Sequence, residues 1–95
     1  MESTEVFRRN PEFLLREVVG EAILVPTGAA GLQFSGMGTM NATGTFLWNL
    51  LEQPRSLGEL SGLFAREYEL TPEQSLQDVS EFLQMALSRG AVVRL

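Results

Sequence analysis

The first part of the chain alternates short apolar runs with turn residues, a pattern typical of β-strands. Phe13 to Val19 and Glu21 to Pro26 are both rich in Val, Leu and Ile, and Gly20 lies between them. Such runs about a tight turn predict an antiparallel hairpin. The second run is apolar on both alternating faces, which is typical of a central strand. After a Gly- and Ala-rich loop, Gly36 to Met40 is predicted as a short third strand.

The second half of the chain has apolar residues at helical spacing. The predicted helices span residues 42–52, 57–69 and 72–89. Each follows a residue that can cap the first turn, and these residues are Asn41, Ser56 and Thr71. Ser56 and Thr71 are each followed three residues later by Glu or Gln, which completes a capping box. Gly90 is a residue type that often ends helices, and the last five residues then predict a short strand or an extended tail.

This order of elements predicts an α+β fold, with a three-stranded antiparallel sheet followed by three helices. The last two helices are joined by a short turn and resemble a helix-turn-helix. Residues 1–12 are polar and contain Asn10-Pro11, so we expect a polar N-terminal lead-in and a domain over residues 13–95.

Composition removes several classes of function. The chain has 95 residues, a net charge of −5, no Cys and no His. Disulfides, thiolate metal sites and the commonest general base are therefore excluded. No apolar run approaches the ~20 residues of a membrane span, and the N-terminus has no apolar signal region. We therefore expect a cytoplasmic protein with no metal, no cofactor and no membrane partner.

A phosphate site and an active site are both poorly supported. Gly36-Met37-Gly38 begins like a dinucleotide fingerprint, but the third glycine position is Asn41 and no second strand completes a βαβ unit. The seven basic residues are all Arg, which excludes a P-loop lysine. Acidic residues cluster between the last two helices, where they are typical of a solvated surface. We expect no enzymatic activity.

A nucleic-acid partner is also not expected. The outer face of the last helix offers Gln77 and Gln84, but Glu73, Asp78 and Glu81 would repel phosphates. A winged-helix regulator that binds DNA or a protein partner is nevertheless the alternative function for this fold.

An open sheet edge is the remaining candidate. If Gly36 to Met40 is the outer strand, neither Lys nor Pro protects its unpaired N–H and C=O groups. Such an edge can accept an extended peptide as a further strand. Met37, Met40 and Met85 could line pockets beside it or could fill gaps in the core, and the residues alone leave both interpretations open.

Four stretches of the chain point to a known family. They are LREVVGEAILVP, FSGMGTMNATGTFLWNLL, SLGELSGLFAREYEL and DVSEFLQMALSRGAV. Together they resemble the PqqD family, the small leader-binding domains also called RiPP recognition elements, over roughly residues 13–95. The block from Met40 to Leu51 is the most specific part. Asn41-Ala42-Thr43 departs from the Asn-Glu-Thr that is frequent in the family, which removes one acid from the first turn of the helix.

The resemblance implies a fold like a winged helix-turn-helix and a role as a peptide chaperone in RiPP biosynthesis. Such a domain binds the leader of a ribosomally made precursor peptide and presents it to a modifying enzyme, often a radical SAM protein. The leader adds as a strand beside the third strand and lies against the third helix. Either a monomer or a homodimer is compatible with this role. A third option is a metabolic accessory protein that retains the fold but binds no leader.

Carried onto this chain, the resemblance implies two sets of peptide-binding residues. The sheet edge would consist of Phe34, Ser35, Gly36, Met37, Gly38, Thr39 and Met40. The helix wall would consist of Val79, Phe82, Leu83, Met85 and Ala86, although Val79, Phe82, Leu83 and Ala86 also fit a buried stripe.

Overall fold

A computed structural model describes residues 1–28 and 38–95 of the chain. The strands are β1 (Val6–Arg9), β2 (Phe13–Val18), β3 (Glu21–Pro26), β4 (Gly38–Met40), β5 (Arg55–Ser56) and β6 (Val92–Arg94). The helices of this part are α1 (Ala42–Leu50), α2 (Leu57–Tyr68) and α3 (Pro72–Ser88). The predicted α+β fold is confirmed, with an antiparallel sheet of β2, β3 and β4 followed by three helices.

The predicted β2–β3 hairpin is present, and its turn contains two residues. Val18 pairs with Glu21, so only Val19 and Gly20 lie in the turn. Both have positive φ angles, of 51° and 80°. This is the signature of a type I′ turn, whose twist matches that of the flanking strands. The apolar run of β3 lies in the centre of the sheet, between β2 and β4.

A second antiparallel sheet, in the order β5-β1-β6, corrects the expectation for the N-terminus. Residues 1–12 were expected to be a polar lead-in, but β1 pairs with both β5 and β6. Phe7 in β1 is fully buried in the core, between the half-buried Val6 and the exposed Arg8. The pairing partners are far away in the sequence, so the short polar segment gives little local sign of its strand. The last residues form the short strand β6, which was one of the two predicted alternatives.

The helix starts follow the capping residues. Asn41 accepts a hydrogen bond from the Gly44 N–H at 2.8 Å, and capping boxes form at Ser56 and at Thr71. These bonds satisfy N–H groups that have no partner within the helix. Helix α1 ends at Leu50, two residues before the predicted end. Gly90 follows α3 with φ of 75°, which fits its predicted role at the end of that helix.

One buried stripe of α3 fastens this helix to the rest of the core. Ser75, Val79, Leu83 and Ala86 on this helix are buried. The Ser75 hydroxyl donates to the Ser61 carbonyl of α2 at 2.6 Å, so the buried polar group is satisfied where the two helices meet. The adjoining stripe, with Phe82 and Met85, is less buried and lies toward β4. Of the helices in the described ranges, none combines the length and apolarity needed to cross a membrane.

Candidate functional site

The outer strand of the first sheet is β4. Its residues Gly38, Thr39 and Met40 pair with Leu24, Ile23 and Ala22 of β3. Within residues 1–28 and 38–95, no strand pairs with the opposite side of β4. The predicted strand edge therefore exists at residues 38–40, and its other predicted members, Phe34, Ser35, Gly36 and Met37, lie outside the described residues.

The hairpin turn determines which backbone groups of β4 point outwards. In a two-residue hairpin the pair next to the turn exchanges hydrogen bonds, and bonded and non-bonded pairs then alternate along the strands. The Val18–Glu21 pair is therefore bonded, and Glu21, Ile23 and Val25 of β3 turn their N–H and C=O groups toward β2. Ala22 and Leu24 bond to Met40 and Gly38, which leaves the N–H and C=O of Thr39 directed away from β3.

A groove runs between β4 and α3. It consists of two depressions, of about 570 Å³ and about 300 Å³, and Thr39, Met40, Phe82 and Met85 line both. The larger one extends to Asn41 and Thr43 at the start of α1, and the smaller one extends to Leu24 and Trp48. The outward-facing backbone of Thr39 thus lies beside a concave and mostly apolar surface.

The predicted helix residues divide between the groove and the core. Phe82 is half-buried and Met85 is 43% exposed, and both line the groove. Ala86 is buried but contributes to the floor of the smaller depression. Val79 and Leu83 are 0% exposed and belong to the core. Of the five predicted residues on α3, only Phe82, Met85 and Ala86 therefore line the groove.

The predicted methionines also differ in whether they lie in the groove or in the core. Met40 packs against the core and lines both depressions, so it is partly core and partly groove floor. Met85 is exposed along the groove, whereas Met37 lies outside the described residues. A flexible thioether beside an apolar groove can adapt to different side chains.

Gly44 keeps part of the groove open, and the sequence reasoning gave it no role. A Cβ atom at this position would lie 3.1 Å from Asn41 Oδ1, 3.3 Å from Met40 Sδ and 3.5 Å from Phe82 Cε1. Two of these distances are shorter than ordinary van der Waals contacts, so a larger residue would displace groove-lining side chains. The sequence signal that could have identified Gly44 is its place in the Met40–Leu51 block, the most specific part of the family resemblance.

Charged residues at the ends of the groove were also absent from the predicted site. Asp78 and Glu81 line the larger depression, and Arg89 lines the smaller one. From the sequence, the two acids indicate only that the outer face of α3 would repel DNA, because their position beside β4 depends on tertiary packing. In the part of the chain described by the structure, no group of three or more Asp or Glu residues is arranged to hold a metal ion.

An exposed sheet edge beside a helix-lined apolar groove defines a class of small domains that can take up an extended peptide as a further strand. The chain belongs to the PqqD family, because the family model for coenzyme PQQ synthesis protein D (PqqD) matches residues 21–92. This match confirms the resemblance and supports, at the level of the family, a peptide-binding role related to PQQ and RiPP biosynthesis. No curated protein and no solved structure matches the chain significantly.

Proposed function

We propose that this domain binds the leader segment of a ribosomally synthesised precursor peptide by strand addition at β4. The observation that carries the proposal is the outward-facing N–H and C=O of Thr39 beside the groove between β4 and α3. Unpaired backbone groups at a strand edge favour pairing with another extended chain. A leader strand would extend the sheet and cover the groove.

The two kinds of contact have different roles. Hydrogen bonds to the Thr39 backbone supply affinity and place few demands on the peptide sequence. Alternate side chains of an added strand point to opposite faces, so every second residue would lie in the groove against Met40, Phe82 and Met85. Apolar residues at these positions would bury their surface and fix the register of the peptide.

The domain would act by positioning the peptide for another enzyme and would perform no chemistry itself. A leader bound at β4 keeps the attached core peptide near a modifying enzyme, which we infer to be a radical SAM protein. Tethering raises the effective concentration of the core peptide without any new contact to it. In this respect the domain would be a peptide chaperone in natural-product biosynthesis.

The Thr39→Pro substitution tests the strand addition. Proline removes the outward N–H of residue 39, whereas the inferred bonds of Gly38 and Met40 to β3 do not involve this group. We expect peptides selected on the unchanged protein from a displayed library of random twelve-residue peptides to lose at least about ten-fold in affinity, the equivalent of ~1.4 kcal/mol. Fluorescence anisotropy of the labelled peptides measures the loss.

Thr39→Val is the matched control, because it keeps the backbone N–H and the β-branched shape. It should bind the selected peptides nearly as well as the unchanged protein, and circular dichroism should show that both variants are folded. If the Pro variant is folded and binds the same peptides equally well, the edge of β4 is not their binding site and the proposed function fails.

A further inference from the structure

The two ends of the groove carry opposite charges. Asp78 and Glu81 lie at the larger depression, and Arg89 lies at the smaller one. All three side chains belong to exposed residues on or next to α3. Neither Asp78 nor Arg89 forms an ion pair with another described residue, and the Glu81 carboxylate accepts only a long hydrogen bond, 3.4 Å, from Gln77. These charges are therefore available to a ligand.

The helix ends do not reverse this polarity. The N-terminus of α1 reaches the larger depression through Asn41 and Thr43, and it contributes about half a positive charge. Two carboxylates exceed this contribution. At the other end, the C-terminus of α3 contributes about half a negative charge, which the full charge of Arg89 also exceeds.

The direction of β4 relates these charges to the direction of a bound peptide. Leu24, the partner of Gly38 at the start of β4, lines the smaller depression, whereas Asn41, just after β4, lines the larger one. The strand therefore runs from the Arg89 end toward the acidic end. A peptide that continues the antiparallel order of the sheet begins at the acidic end and finishes near Arg89.

The spacing along α3 gives the separation of complementary charges in the peptide. Glu81 and Arg89 are about 12 Å apart along the helix axis, and Asp78 and Arg89 are about 16 Å apart. An extended chain covers these distances in roughly four or five residues. A separation of four places both charged side chains on the same face of the peptide strand, with one residue between them that also faces the groove.

We propose that the groove selects peptides by charge order: a basic residue, then an apolar residue two positions later, then an acidic residue two positions after that. The inference rests on the proposed function, because it assumes an antiparallel strand at β4. It specifies the class of leader segment that this domain takes and the direction in which the leader lies. The core peptide, which follows the leader, would then leave the groove at the Arg89 end.

A displayed library of random twelve-residue peptides tests the charge order. It is selected on the unchanged protein and on a double variant, Glu81→Lys with Arg89→Glu, that keeps the net charge. We expect the unchanged protein to enrich basic-apolar-acidic peptides. The double variant, which retains Asp78, should lose this order and favour a basic residue at the end near position 89. A synthesised binder with its two charged residues exchanged should bind the unchanged protein roughly three- to ten-fold more weakly at low salt, and the difference should shrink at high salt.

The matched control exchanges two charges away from the groove, in the variant Arg66→Glu with Glu67→Lys, both exposed on α2. It should enrich the same peptides as the unchanged protein. If binding depends on the backbone of Thr39 but the selected peptides show no charge order, or the same order on both proteins, the charge inference is wrong and the proposed function stands. If binding is indifferent to Thr39→Pro, the proposed function fails.

Discussion

Val19 has a backbone conformation that valine rarely adopts. Its φ angle is 51° and its side chain is 97% exposed at the tip of the β2–β3 hairpin. The left-handed region brings Cβ close to the carbonyl oxygen, and a β-branched residue is especially disfavoured there. The side chain gains almost nothing from packing to offset this strain.

We expect Val19→Asn to stabilise the fold. Asn tolerates positive φ, and Asn-Gly is a preferred pair in type I′ turns. The free energy of unfolding, measured with urea, should rise by roughly 1 kcal/mol. Val19→Thr, which keeps the β-branch, is the control and should change it little. A variant with Asn that is no more stable than the one with Thr would show that the turn is not strained.

At the scale of single residues, periodicity could not separate the groove from the core. Five apolar residues lie on neighbouring stripes of α3, namely Val79, Phe82, Leu83, Met85 and Ala86. Which stripe is covered depends on the position of β4 and α1, and both of these elements are distant from α3 in the sequence. The pattern therefore predicts the helix and its apolar face, while tertiary packing decides that Phe82 and Met85 line the groove.

At the scale of elements, the sequence predicted correctly those helix starts whose deciding contacts lie within a few residues of each other. The caps at Asn41, Ser56 and Thr71 each involve a side chain and a backbone group three residues away, so the sequence displays them directly. Strand β1 depends instead on β5 and β6, about 50 and 85 residues further along the chain. Pairing over such separations leaves no local pattern, which is why the sequence of residues 6–9 does not predict a strand.

Glu5 lies just before β1 of the second sheet, and its carboxylate has a perturbed pKa. The Glu5 carboxylate accepts the Glu2 backbone N–H at 2.9 Å and pairs with Arg94 of β6 at 3.0 Å. The hydrogen bond from Glu2, followed by the interaction with Arg94, lowers the pKa of Glu5 below its ordinary value of 4.5. Both interactions favour the ionised form and link the N-terminus to β6.

A pH series of thermal unfolding tests this link. The folded-state pKa of Glu5 is lowered, so its stabilisation is present above the unfolded value and is lost as the pH falls through the folded value. We expect Glu5→Gln to lower the Tm slightly at pH 7. The gap to the unchanged protein should close as the pH falls below the ordinary pKa of 4.5 and through the lowered folded-state pKa. Glu52→Gln, an exposed residue after α1, controls for the loss of one charge. A gap that stays constant with pH would contradict the assignment.

At the scale of the whole molecule, the order of elements and the Met40–Leu51 block predicted the α+β fold and the family. The sequence could not predict in the same way which residues become neighbours in the groove. Asp78, Glu81 and Arg89 become neighbours of β4 only when α3 packs beside the sheet, and Gly44 matters only through its distance to Met40 and Phe82. The proposed function thus depends on the sheet edge and α3 together.

A peptide that adds to β4 as a strand must bond to the backbone of Thr39, so amide hydrogen exchange at Thr39 is the deciding measurement. Exchange is followed by NMR with and without a saturating library-selected peptide. We expect the Thr39 amide to become strongly protected on binding, because it acquires a hydrogen-bond acceptor from the peptide. The already bonded amides of Gly38 and Met40 should change less. Saturation with peptide while the Thr39 amide exchanges at its free rate would contradict strand addition at β4.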